Sequence, residues 1–482
     1  MDITPTVPDE KDTTKTPDTR AAEACDQIDA ILTRYQELGL FNGSALVANC
    51  GRIILKKGYG LANMEWGIPN TPDTKFRLGS ITKPFTATLV MQFIEQGQID
   101  LAAPVTRYLP DYPASTGDRI TIEHLLNHTS GIVGYTEMPV FGTTIRNPYK
   151  PAEFVDACFS KLELLFEPGT RFSYSNSGYF LLGVILEQIT GESYENLLRH
   201  HIFEPIGMND SGYDAPQPLL AKRAAGYDKR FDGSCVNTVY IDMTQPYAAG
   251  ALYSTVEDLY KFDQALNTEQ LLRSESKTRM FTPCLGEYGF GWQVRQRNGL
   301  IMTGHEGGIN GFHTLFNRIP ELGRSIVFLN NTGAAPLSEM AEAVHMVLEG
   351  KDPPMPKQPG ALALFEAYET SGLDAMLVRA EEMQGGTEYK ADSNELTRLA
   401  NHLLATDRNK DALELAEKLA QDAPRCEMTA FLLGRAHRAN DHRFEAVQAY
   451  SRAIELSETP RMLFFYTDAI REISDIAPKN QG

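Results

Sequence analysis

Three stretches of this chain carry residue types able to do covalent chemistry. The first is Phe76-Arg-Leu-Gly-Ser-Ile-Thr-Lys-Pro-Phe85. Ile81, Phe85, Leu89 and Phe93 recur at helical steps as far as Gly97, which predicts a helix with Ser80 at its N-cap. Pro84 fits the first turn, where backbone N–H groups have no intrahelical partner. At such a helix head, orphan N–H groups and the positive dipole end favour a developing oxyanion. Lys83 falls one turn on, on the same face as Ser80. A hydroxyl and an amine so placed are a candidate nucleophile and proton acceptor. The pattern is short, however, and Ser274-Glu-Ser-Lys277 matches it equally well.

Such chemistry needs further partners. An amine of reference pKa about 10.4 is a poor base unless its charged form is disfavoured. A second acid/base must hand the proton to the leaving group, and donors must hold the acyl end. Phe172-Ser-Tyr-Ser-Asn-Ser-Gly178 supplies candidates. It precedes a helical pattern, and residues two apart in an extended segment project to one side, so Tyr174 and Asn176 are expected to share a cleft. Tyr194-Glu-Asn196 has the same spacing inside a helical pattern, which turns its members to different faces. The third stretch is Gly304-His-Glu-Gly-Gly-Ile-Asn-Gly-Phe312. Its glycines let a substrate approach backbone N–H groups, as an oxyanion hole requires. His305, expected in a turn, would donate a hydrogen bond or assist proton transfer near neutral pH.

These stretches must be brought together by elements far apart in the chain. Ile28, Ile31, Leu32, Tyr35 and Leu38 mark an amphipathic helix ending near Gly39. Ser44–Cys50 and Arg52–Tyr59 read as a hairpin turning at Cys50-Gly51. The region from about 100 to 240 reads as mostly helical, with clear helices over Gly178–Thr190 and Tyr194–Ile202. A capping box, Ser254-x-x-Glu257, opens another helix. Gly289–Val294, Leu300–Thr303, Gly311–Arg318 and Arg324–Leu329 read as strands that return to the first hairpin, and Pro336–Leu348 as a closing helix. The expected fold is α/β (α+β): an antiparallel sheet flanked by helices, with an inserted helical subdomain.

Residues 350–360 hold Pro353, Pro354, Pro356 and Pro359, a stiff linker rather than a helix. Beyond it, Leu399-Ala400 aligns with Leu433-Gly434, Ala412 with Ala446, Ala416 with Tyr450 and Leu419 with Ala453, each at an offset of 34 residues. That period resembles tetratricopeptide repeats, with Leu373–Met383 as a degenerate earlier helix and Arg461–Ile473 as a cap. The expected organisation is a disordered segment 1–20, a catalytic domain 21–349, the linker 350–360 and an all-α repeat domain 361–482.

The chain's 482 residues carry 45 basic and 63 acidic side chains, a net charge of −18 that argues against nucleic acid and anionic membranes as partners. No apolar run approaches the roughly 18 residues of a membrane-spanning helix. Six scattered cysteines, without a C-x-x-C pair, read as buried free thiols. His305-Glu306 begins like H-E-x-x-H, but position 309 is Ile, so no metal is expected. The chain as written carries no export signal, which leaves its compartment open between cytoplasmic and exported.

Taken together and in order, Ser80–Lys83, Tyr174–Asn176 and His305–Gly307 resemble the S-x-x-K, Y-x-N and K/H-x-G motifs of the serine β-lactamase and penicillin-binding-protein superfamily. The branch most similar comprises class C β-lactamases, family VIII esterases, D-aminopeptidases and D,D-peptidases. Leu125-Leu-Asn-His-Thr-Ser-Gly-Ile132, Ala249-Gly-Ala-Leu-Tyr-Ser-Thr-Val-Glu-Asp258 and Gly307–Phe312 add to the resemblance, which covers roughly residues 25–350. It implies that Ser80 is acylated and that Lys83 and Tyr174 share its proton, the first acceptor being left open. It further implies that Asn176 binds the acyl side, and that the N–H groups of Ser80 and Gly308 form the oxyanion hole. His128 would be structural. His305 stands where β-lactamases usually carry Lys, and Glu306 where Thr or Ser is usual. These departures weaken the case for an anionic β-lactam substrate. The expectation is a cofactor-free serine hydrolase acting on a small-molecule or peptide ester or amide. A class C-like β-lactamase is one alternative. A binding scaffold whose repeats hold a protein partner, or brace the first domain, is the other.

Overall fold

The structure, a computed structural model, describes residues 17–457 and 460–474. The expected disorder over 1–20 therefore lies outside the described residues up to position 16, whereas residues 17–20 already belong to the first helix, α1 (Pro17–Glu37). Its buried stripe is Ile28, Ile31, Leu32 and Tyr35. Strands β1 (Gly43–Asn49) and β2 (Arg52–Tyr59) form the expected hairpin. Cys50 and Gly51 both adopt positive φ, 53° and 71°, the twist that a two-residue hairpin turn requires.

The Ser80 region is a 3-10 turn (Gly79–Ile81) running into α2 (Thr82–Glu95). Ser80 is thus not the N-cap: it sits inside the turn, and neither Leu78 nor Ile81, at the two helix starts, caps with its side chain. Short helices and irregular connections follow up to α3 (Asn176–Thr190) and Tyr194–Leu198. Helix α4 (Val256–Leu266) is capped by Thr255, whose hydroxyl accepts from the Asp258 N–H. The expected Ser254–Glu257 box is one residue out of register, because Ser254 is taken up in a short strand, Leu252–Ser254.

Strands β3 (Gln293–Arg297), β4 (Leu300–Ile309), β5 (Phe312–Ile319) and β6 (Arg324–Asn330) then complete the sheet in the order β3-β4-β5-β6-β1-β2, antiparallel throughout. Two expectations are corrected. Gly289–Val294 is mostly outside a strand, and β4 does not stop at Thr303 but runs on through His305 and Gly308 to turn at Asn310-Gly311. The glycines at 304, 307 and 308 pair across to β5, so this motif is a strand and not a turn.

Both faces of the sheet are covered, which explains why β1 is apolar at successive positions. Ala45 and Val47 face α1 and α5 (Leu337–Leu348), whereas Leu46 and Ala48 face the larger core built with α2, α3 and α4. None of the six cysteines is buried, contrary to expectation; Cys50 lies in the hairpin turn, Cys235 on a short strand and Cys284 in a loop.

After Gly350 the proline-rich stretch is tied down at its far end, where Gln358–Pro359 pairs in parallel with Tyr389–Lys390. Helix α6 (Ala361–Gln384) breaks at Gly372, so Leu373–Met383 is its second half. Four helices follow: α7 (Ser393–Ala405), α8 (Asn409–Asp422), α9 (Glu427–Ala439) and α10 (Arg443–Leu456). The first pair maps onto the second at an offset of 34 residues at both ends of each helix (393 to 427, 409 to 443). The aligned small residues Ala400, Ala412, Ala416, Ala446 and Ala453 are buried, and Gly434 lies against the Tyr450 ring. Helix α11 (Pro460–Ser474) contains the expected cap. No helix among the described residues is long and apolar enough to cross a membrane.

Candidate active site

The Ser80 turn is wedged between two strands. Leu78 N–H donates to the Leu252 carbonyl at 2.8 Å, and Thr314 Oγ1 donates to the Leu78 carbonyl at 2.8 Å. Gly79 has φ +54°, and a Cβ there would stand 2.9–3.0 Å from the Gly308 backbone. A Cβ on Gly307 would stand 1.9 Å from the Leu78 carbonyl oxygen. Glycine at these two positions is what lets β4 lie directly against the turn that carries Ser80.

Lys83, one turn along, is fully buried. Its Nζ donates to Ser80 Oγ at 3.1 Å, Asn176 Oδ1 at 2.8 Å and the Ala249 carbonyl at 2.9 Å. It also lies 4.8 Å from the centre of the Tyr174 ring. The first two motifs therefore converge on one amine. Between Ser173 and Ser177 buried serines alternate with half-buried Tyr174 and Asn176, as an extended segment requires. Asn176 opens α3, and its Nδ2 donates to Thr136 Oγ1 at 2.9 Å.

His305 meets the site differently from the expectation. Its ring is buried, 6.1 Å from the Tyr174 ring. A carbonyl can only accept, so the 2.6 Å contact with the Glu306 carbonyl puts the proton on Nδ1. Nε2 then accepts from the Tyr288 hydroxyl at 2.9 Å. Burial, with Lys83 adding repulsion, pushes the His305 pKa down to about 3. The imidazole is therefore a neutral wall of the site and does not titrate near neutral pH. Glu306 points to the other side of β4, hydrogen-bonded to Ser338 of α5 and 3.5 Å from His313, which holds its carboxyl below the usual range.

The rival motifs stay apart. Ser274 bonds Glu269 and Lys277 bonds the Thr268 carbonyl, both at the surface. Tyr194 is buried with its hydroxyl 2.6 Å from Thr86, while Asn196 is half-buried and accepts from Arg199.

Sequence reasoning passed over three contributors. The Ala249 carbonyl that receives Lys83 lies in a stretch noted only for its resemblance. His128, expected to be structural, lies with its ring tilted at 42° and 4.3 Å from the Tyr174 ring. Its carbonyl accepts from Ser173 N–H at 2.8 Å and its Nδ1 from Ser175 N–H at 3.1 Å, bracketing Tyr174 from both sides. His128 does so with φ +59°, a left-handed conformation with no sequence signature beyond the neighbouring turn residues. Tyr288, whose hydroxyl meets His305 Nε2, sits in an irregular loop and had no signal.

A cleft of about 370 Å³ opens beside Tyr174 and His305. Buried amine, hydroxyl, phenol and amide gathered beside a cleft form a constellation suited to acyl transfer.

Comparison with known proteins agrees. The family model described as Beta-lactamase matches residues 28–349. PbpX of Bacillus subtilis, named as a penicillin-binding protein, is 34% identical over 330 residues, covering 67% of this chain and 79% of its own. Teichoic acid D-alanine hydrolase of Staphylococcus aureus is 29% identical over 259 residues, 54% of this chain and 61% of its own. The crystal structure of D-amino acid amidase from Ochrobactrum anthropi SV3 with D-phenylalanine matches with a TM-score of 0.61 at 27% identity, covering 68% of this chain and 99% of the amidase. The chain belongs to the β-lactamase family and is a serine hydrolase acting on esters or amides.

Proposed function

We propose that the chain hydrolyses esters or amides of the D-amino-acid amidase and peptidase type through an acyl-enzyme on Ser80. The observation that carries this reading is the single buried amine of Lys83 shared by Ser80 Oγ and Asn176 Oδ1. The Ser80 oxygen attacks the acyl carbon as its proton passes to Lys83 or Tyr174. The bond to the leaving group then breaks, and the departing oxygen or nitrogen takes a proton from the same pair. Water repeats the exchange in reverse, releasing the acid and restoring the Ser80 hydroxyl.

Lys83 Nζ lies within hydrogen-bond reach of Ser80 Oγ, Asn176 Oδ1 and the Ala249 carbonyl, so it is placed to take the serine's proton, and Tyr174 beside it is the other acceptor. Asn176 orients the acyl side, and the N–H groups of Ser80 and Gly308 serve the oxyanion. The neutral ring of His305 offers no cation to a substrate carboxylate, which favours acyl donors without a carboxylate over β-lactam antibiotics. Within this reading residues 21–349 form the catalytic domain, and residues 361–482 form a second domain that braces it.

Three substrates test the proposal: 4-nitrophenyl butyrate, D-phenylalanine amide and nitrocefin. The ester and the amide are expected to turn over, with a loss of about 10³-fold or more in Ser80→Ala. Fast nitrocefin hydrolysis would make the chain a β-lactamase instead. No turnover and no covalent labelling with any of the three would leave only a binding scaffold.

A further inference from the structure

The Asn176 amide is held at both of its ends. Its Oδ1 accepts from Lys83 Nζ at 2.8 Å, and its Nδ2 donates to Thr136 Oγ1 at 2.9 Å. One contact leaves an amide free to swivel about it, whereas contacts at opposite ends fix its plane. Nδ2 carries two hydrogens, so with one given to Thr136 the direction of the second is set as well. In the acyl-transfer reading above, on which this inference rests, that second hydrogen is the one Asn176 turns to the acyl side. We propose that Thr136 is a positioning residue for acyl transfer: its hydroxyl holds the Asn176 amide in the plane that serves Lys83 and the substrate together.

The two contacts differ in kind. Lys83 is one of the two proton acceptors of the proposed cycle, so its hold on Oδ1 varies as protons move between it and Ser80. Thr136 carries no group that titrates in the working range, and its hold on Nδ2 persists. The fold also fixes where that hydroxyl stands. Thr136 lies in the 3-10 turn Tyr135–Glu137. Ser177, next to Asn176 at the head of α3, ties this turn down twice: its Oγ accepts from Tyr135 N–H at 3.0 Å and donates to the Val133 carbonyl at 2.7 Å. The Tyr135 hydroxyl donates to the Gln245 carbonyl at 2.7 Å, and its ring centre lies 5.0–6.3 Å from those of Phe141, Phe154, Phe159 and Phe180. These anchors do not use the half-buried Thr136 side chain. Its hydroxyl can therefore be removed while the turn stays in place, and what the removal loosens is Asn176.

Thr136→Val keeps the side chain's shape and removes the hydroxyl, whereas Thr136→Ser keeps the hydroxyl and removes a methyl group. In the full-length protein, Thr136→Val should lower kcat/KM for 4-nitrophenyl butyrate roughly fivefold or more, as the amide that steadies Lys83 swivels, with Thr136→Ser close to the parent. In an Asn176→Ala background the same Thr136→Val change should have no further effect, because the group it positions is gone. Where turnover is slow, the rate at which an alkyl fluorophosphonate labels Ser80 gives the same ratios. Urea midpoints separate loss of position from loss of fold. Should that of Thr136→Val fall, Thr136→Ala, which differs from Thr136→Ser by the hydroxyl alone, makes the same comparison. The proposal is overturned if the variants without the hydroxyl are as fast as the parent, if Thr136→Ser is the slowest, or if the factor is unchanged in the Asn176→Ala background. Loss of labelling in Ser80→Ala upholds the nucleophile in each of those cases, so the two readings fail separately.

Discussion

Gly307→Ala is the sharpest probe of how the fold builds this site. A Cβ at position 307 would lie 1.9 Å from the Leu78 carbonyl oxygen and 2.4 Å from Thr314 Oγ1. Carbon–oxygen contacts sit at about 3.3 Å, so β4 and the Ser80 turn must part by roughly 1.4 Å. Both obstacles are held in place: Thr314 Oγ1 donates to that same carbonyl at 2.8 Å, and neither is the tip of a flexible side chain. Overpacking of this kind costs about 1–3 kcal/mol, and losing the Thr314 hydrogen bond adds about 1 kcal/mol. The separation also moves Ser80 against Gly308, and misplacement by about 1 Å lowers turnover roughly 10²-fold. Gly308→Ala is the contrast. Nothing lies within 4 Å of a Cβ there, the residue is exposed and its φ is not positive, so stability should shift by under about 1 kcal/mol. Urea denaturation and 4-nitrophenyl butyrate kinetics measure both consequences. A Gly307→Ala protein as stable and as fast as the parent would refute the wedge, as would Gly308→Ala proving the more destabilising of the two.

Acid should destabilise the fold before its carboxylates titrate. Burial pushes both His305 and His345 down to about 3, with Lys83 adding to the effect at His305 and Arg297 and Arg324 at His345. Above about pH 6.5 each is neutral whether folded or not; as the pH falls toward 3 the unfolded chain takes protons that the folded chain refuses. Stability is therefore lost with falling pH at about 1.4 kcal/mol per unit per histidine. His345→Gln should flatten the dependence of Tm between pH 6.5 and 5, and an unchanged slope would contradict this. Where the helical region meets the hairpin 227–237, Phe231 stacks on His402 with ring centres 3.9 Å apart at 7° and meets Phe365 edge-on at 5.5 Å. Phe231→Ala removes this link between the hairpin 227–237 and the helical region, and proteolysis within 350–360 should accelerate several-fold while 4-nitrophenyl butyrate turnover is kept; an unchanged cleavage rate would remove the bracing role.

What was legible in the sequence was whatever one periodicity could carry. The hairpin turning at Cys50-Gly51, the helix after Ser80 and the shared side of Tyr174 and Asn176 are each properties of a few neighbouring residues. The return of late strands to the first hairpin followed from apolar runs with no other surface to cover. The misses depend on partners distant in sequence. Ser80 fails to cap because Leu252, Thr314 and Gly308 hold its turn from outside. The capping box slips because Ser254 is drawn into pairing with Phe76. Glycines at 304, 307 and 308 looked like a turn, yet they are there so that β4 can pass close to its neighbours. His305 looked titratable until burial and the Tyr288 hydroxyl claimed it.

The central claim is that Ser80 forms the acyl-enzyme, and the mass of the intact protein tests it most directly. A slow acyl donor or an alkyl fluorophosphonate should add one equivalent of its acyl or phosphonyl mass, and peptide mapping should place the adduct on Ser80. Ser80→Ala should remain unmodified, and Lys83→Ala should label far more slowly. An adduct that maps elsewhere, to Ser274 for example, or that persists in Ser80→Ala, would contradict the account.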